Sequence, residues 1–110
     1  MTDFELNKAI AMRVLEHGEH GLFSEGHKDS ADMFLPTLDG SNHVHAGNFD
    51  FNNWSDLMPL VVEYDIWYRY CYLAKAYNAV NNDYAYCANV FNKDLQRALA
   101  ECLLKVLEAK

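Results

Sequence analysis

All five histidines of this chain fall between residues 17 and 45, the one place where potential metal ligands cluster. His17-Gly18-Glu19-His20 and His43-Val44-His45 have spacings that allow chelation, and His27 and Asp29 lie between them. Neutral imidazoles carried by a loop suit Zn²⁺ or Ni²⁺, so His17, His20, His43 and His45 form a candidate metal set. Without a metal, the same residues make a solvated polar loop that gains charge as pH falls through about 6.5. Nucleophilic chemistry has less to stand on. A Cys–His pair would need Cys71, Cys87 or Cys102 beside an imidazole. Cys102 lies on an apolar helical stripe and the other two have apolar surroundings, the pattern of buried structural thiols. Glu63 and Asp65 flank a helix end, where carboxylates form a solvated rim more often than an acid/base pair. No glycine loop suited to phosphate occurs. The residues therefore assign no catalytic group and no cofactor.

A second set of side chains points to recognition. Tyr64, Trp67, Tyr68, Tyr70 and Tyr72 crowd into nine positions, and Tyr77, Tyr84 and Tyr86 follow. A domain of 110 residues cannot bury all seven of its tyrosines, and exposed Tyr and Trp are typical of protein interfaces. Trp54, Tyr68, Tyr70 and Tyr72 are the expected contact residues; the competing reading is a core whose hydroxyls reach its rim. Stacking of single-stranded nucleic acid would need a basic groove. The chain instead has a formal charge of −7, with 9 basic residues against 16 acidic ones and no two basic residues adjacent. That balance disfavours direct nucleic-acid binding. It suits a soluble acidic domain with a protein partner, and a homo-oligomer is compatible with it.

The elements that must position these residues are legible at both ends of the chain. Thr2 and Glu5 have capping-box spacing, and Leu6, Ile10 and Val14 form an i, i+4 row, predicting a helix over 3–17 ended by Gly18. Regularity then fails over 18–51, a loop-rich segment holding Gly21, Gly26, Gly40, Gly47 and Pro36. Within it, the Asp39-Gly40 turn predicts a hairpin of 33–37 with 42–46, with Met33-Phe34-Leu35 as an edge strand ended by Pro36. A second helix should begin near Asn53 or Ser55 and run to Tyr64. Capping by Asn53 places Pro59 in its interior, whereas capping by Asp56 places it in the first turn. Residues 64–91 fit either a long helix or strands. The break at Val80-Asn81-Asn82-Asp83 favours an antiparallel hairpin with arms 72–77 and 84–90. Asn92 or Asp94 caps a last helix whose buried stripe is Leu95, Ala98, Leu99, Cys102, Leu103 and Val106, with Glu101 and Lys105 as an outward i, i+4 pair.

The fold expected is α+β: three helices packed on a small antiparallel sheet, in a single domain over 1–110. No apolar run approaches the roughly 20 residues of a membrane span. The acidic start has no signal-peptide pattern, and the three cysteines offer neither a disulfide framework nor a CxxC pair. A cytoplasmic location follows as an expectation.

Three of these blocks carry a resemblance. Thr2-Asp3-Phe4-Glu5-Leu6-Asn7-Lys8 resembles the opening (S/T)-D-F-E-(I/L)-N-(K/R) of the NinX-like proteins, a family of small phage and prophage proteins of unknown function. Asn52-Asn53-Trp54-Ser55-Asp56-Leu57-Met58-Pro59-Leu60-Val61-Val62-Glu63 is similar to that family's N-N-P-x-D-x-W-P-I-I-x-E block, with Trp54 and Met58 standing where the family has Pro and Trp. Residues 92–104 are similar to its final helix, where Arg97-Ala98 match an R-A pair. Together the blocks span under half of the chain. The resemblance implies a phage or prophage accessory protein acting in the cytoplasm of the infected bacterium, a host or phage protein as partner, and no catalytic residues. It also implies strands after the central Glu63.

Overall fold

The computed structural model describes residues 1–84 and 88–109. It is α+β, as expected. In chain order the elements are α1 (Asp3–Val14), β1 (Leu22–Glu25), β2 (Ala31–Pro36), β3 (His43–Phe49), α2 (Trp54–Glu63), β4 (Ile66–Cys71), β5 (Ala76–Asn81), β6 (Asn89–Asn92) and α3 (Leu95–Ala109). The strands form two antiparallel sheets, ordered β1-β2-β3 and β4-β5-β6. The chain divides into two compact units, Met1–Asp50 and Phe51–Lys110, each holding one sheet.

In the first unit, the capping box of α1 forms as the sequence predicts. Thr2 Oγ1 accepts from the Glu5 amide at 3.1 Å, and Glu5 Oε1 accepts from the Thr2 amide at 3.1 Å. The helix stops at Val14, three residues earlier than its periodicity suggested. Leu15 is extended and His17, not Gly18, takes the left-handed conformation, with φ 62°. Gly18 is needed for space instead: a Cβ there would lie 2.6 Å from the Ala11 carbonyl oxygen. Leu6, Asn7, Ile10 and Ala11 are buried, and the Asn7 side-chain amide donates to the Asp29 carbonyl at 3.0 Å.

The segment 18–51 is more regular than its glycines implied. The hairpin across Asp39-Gly40 is present, with Gly40 at φ +71°. Its first arm, however, is a central strand and not an edge, because β1 pairs with its other side. Leu22-Phe23 was too short an apolar run to announce that strand. Pro36 is tolerated because β1 ends opposite Phe34, so Pro36 pairs with His43 alone. Register slips between Met33 and Phe34, which face Gly47 and His45, leaving Ala46 as a bulge. Ala31, Met33 and Phe49 form the buried face of this sheet.

In the second unit, Asn53 caps α2 by accepting from the Ser55 amide at 3.0 Å, which leaves Pro59 inside the helix. Asp56 is therefore not the cap. Asp65 takes a left-handed φ of 56° and turns the chain into β4, and the buried Asn81 side-chain amide donates to the Tyr64 carbonyl at 2.5 Å. Residues 64–91 hold strands and no helix among those described. The expected antiparallel pair is present, but its arms are β5 and β6, displaced from the expected 72–77 and 84–90. Residues 72–75 are instead the turn of a second hairpin, β4–β5, made with Lys75 at φ 52° and no Gly, Pro or Asn to signal it. Positions 85–87 of the expected second arm lie outside the described residues. Asp94 caps α3 through bonds from the amides of Gln96 and Arg97. Its buried face includes Ala98, Leu99, Cys102, Leu103 and Val106 as predicted, together with Ala100 and Leu104; Leu95 is half-buried. Glu101 pairs with Arg97, one turn before it, and not with the expected Lys105, one turn after it.

Candidate functional site

Strand β4 builds the most distinctive surface. It lies at the edge of its sheet, and alternation along it sends Trp67 and Arg69 to one side and Ile66, Tyr68 and Tyr70 to the other. Ile66, with Ala79 opposite Tyr68 and Val90 beyond it, is buried, so its side is the one that α3 covers. Trp67 and Arg69 stand on the open side. There Val80 and Asn78 on β5, then Asn89 and Phe91 on β6, continue the row.

Trp67, Tyr68, Arg69, Asn78 and Val80 line a shallow cavity of about 280 Å³. Its floor is fixed by Asn78, which is buried and donates to Asn89 Oδ1 at 2.6 Å and to the Val90 carbonyl at 3.2 Å. Its lining is open to solvent at Trp67, 59% exposed, and Tyr68, 50%; Tyr70 and Phe91 are exposed elsewhere on the same sheet. Arg69 is the one charged side chain on β4, β5 and β6, and no carboxylate among the described residues pairs with it. A solvent-exposed guanidinium on the same side of the strand as Trp67 is chemically equipped to meet a carboxylate or a π face.

Of the four expected contact residues, the structure brings three together. Tyr70 meets Tyr72 edge-on at 5.0 Å and Tyr77 edge-on at 5.2 Å, and Tyr68 shares its side of β4. Trp54 is exposed on the first turn of α2 and makes no ring contact among the described residues. Sequence reasoning placed Trp67 in the aromatic segment but not among the contact residues, and passed over Arg69 and Phe91. The signal was the i, i+2 spacing of Trp67 and Arg69, which acquires meaning only once 66–71 is known to be a strand.

The histidines are dispersed. His17 and His20 each lie beside a neighbouring glutamate, Glu16 at 3.7 Å and Glu19 at 3.6 Å, while His43 and His45 sit on β3. Among the described residues, no group of three or more His, Cys, Asp or Glu is placed to hold a metal ion. His17, His20, His43 and His45 are therefore not one donor set. One pairing went unforeseen: His45 Nε2 lies 3.1 Å from Asp32 Oδ1, which also accepts from the Asn48 side-chain amide at 2.7 Å. The bulge at Ala46 makes this possible by returning Asn48 to the face of His45. The bond from Asn48, and then that from His45, holds the Asp32 carboxyl below its ordinary range. Phe34 packs edge-on against the imidazole at 5.4 Å. Nearby, a hydrogen bond with Asp29 pushes the Glu25 carboxyl up.

Cys102 is buried with its thiol toward the Ala88 carbonyl, Cys71 is half-buried, and Cys87 lies outside the described residues. Glu63 and Asp65 are exposed. No helix among the described residues is long and apolar enough to cross a membrane. No family model matches the chain, and neither does a curated protein or a solved structure.

Proposed function

We propose that this chain is a non-enzymatic protein-binding module, an accessory protein of a phage or prophage whose partner is a host or phage protein in the bacterial cytoplasm. The observation that carries the binding role is the concentration of exposed aromatic side chains on and beside β4, namely Trp67, Tyr68, Tyr70 and Tyr72, together with Arg69, which pairs with no carboxylate among the described residues. Aromatic and arginine anchors of this kind dominate the energetics of protein interfaces, and truncating one typically costs 2 kcal/mol or more, roughly thirty-fold in affinity. The acidic balance and the scattering of basic residues support a protein partner over nucleic acid. The phage setting rests on the resemblance of residues 2–8, 52–63 and 92–104 to the NinX-like proteins.

The test is affinity capture from infected and uninfected bacterial lysates, with mass spectrometry, using the natural chain and a Trp67→Ala/Tyr70→Ala variant side by side. A protein enriched by the first and lost with the second is the expected outcome. Enrichment that is indifferent to these substitutions, or none at all, would remove the reading.

A further inference from the structure

Four strands form the edges of the two sheets, and three of them are blunted. β1 and β6 are four residues long, and β3 is broken by the bulge at Ala46. Short edges and bulges are what natural sheets use to prevent further strand pairing. β4 has neither device: it runs six residues in regular register, contains no proline or lysine, and carries exposed aromatics. We infer that β4 is the seam of a two-fold symmetric dimer, in which two copies of this chain join edge to edge with Tyr68 of each copy opposite the other.

Geometry and charge select that alignment. In an antiparallel pair, facing residues put their side chains on the same side of the sheet. Identical strands related by a two-fold axis through the sheet must then centre on a residue, not between two. Centring on Trp67 or Tyr70 leaves only a short overlap, because Asp65 is left-handed and Tyr72 begins the turn. Centring on Arg69 sets guanidinium against guanidinium. Centring on Tyr68 pairs residues 66–70 of both copies and places each Arg69 opposite Trp67 of the other copy. A cation then lies beside an indole twice per dimer, on the open side of the sheet. On the other side, the Tyr68 rings meet at the axis and each Tyr70 faces Ile66. The single charge on these strands thereby finds a complement that the described residues of its own chain do not supply, and the two sheets become one of six strands with the cavities of both copies side by side.

The inference does not depend on the proposed partner, since it concerns the purified chain alone. Sedimentation equilibrium of the full chain should show a concentration-dependent rise from 12.7 kDa to twice that mass. Tyr68→Lys and Tyr68→Glu each set like charges against one another at the axis and should weaken self-association at least tenfold. An equimolar mixture of the two variants should recover it as a heterodimer, which a misfolded variant could not do. A natural chain that stays at 12.7 kDa up to its solubility limit overturns the inference. So does a dimer that both variants retain, or a mixture that stays monomeric. Dimerisation without any captured partner would leave this inference standing and remove the protein-binding role.

Discussion

Asp39 shows how much a single side chain settles at the tip of the β2–β3 hairpin. It accepts from the Thr37 hydroxyl at 2.6 Å, the Ser41 hydroxyl at 2.8 Å and the Ser41 amide at 3.0 Å. These bonds favour the charged form and lower its pKa from 3.8 to about 2. Because the folded value is the lower one, the carboxylate's contribution to stability is complete above 3.8 and is lost as pH falls toward 2. NMR titration should find Asp39 ionising near 2, and Asp39→Ala should flatten the acid limb of the stability curve in that window. The turn was legible in the sequence because Asp-Gly announces it. The Asp32–His45–Asn48 cluster was not, since a bulge brings it together and a bulge leaves no local trace.

At the level of elements, capping chemistry was the most legible feature. The Thr2/Glu5 box and the Asp94 cap sit where the sequence puts them, because each is satisfied within one helical turn. Helix ends and strand order were less so, because tertiary packing decides them: Gly18 must pass close to the Ala11 carbonyl, and β1 pairs with a strand that reads as an edge. α2 carries a testable cost. Pro59 is exposed inside the helix and denies the Ser55 carbonyl its usual donor. Restoring an N–H is worth up to about 3 kcal/mol in a helix interior, offset by about 1 kcal/mol from a more flexible unfolded chain. Pro59→Ala should therefore raise the Tm by several degrees in a thermal melt, with binding unaffected. An unchanged or lower Tm would mean that the ring makes compensating contacts.

For the molecule as a whole, charge and exposed surface act against each other. The net charge of −7 keeps copies apart at long range, while the aromatic face of β4 favours contact at short range. Salt screens the first far more than the second; the Debye length falls from about 10 Å at 0.1 M to about 3 Å at 1 M. Self-association measured by light scattering should accordingly strengthen as NaCl is raised. The α+β class was legible from two clear helical ends and β-prone residues between them. The division of the strands into two sheets was not, because strand partnership depends on residues far apart in the chain.

The bulge at Ala46 has a consequence for what this protein can become when concentrated. A chain with two unguarded flanks can accept neighbours on both and extend without limit into fibrils. Here the longest flank is kinked and two others are too short to template anything, so among the described residues β4 is the one side left free, and the proposed pairing would use it up and end growth at two copies.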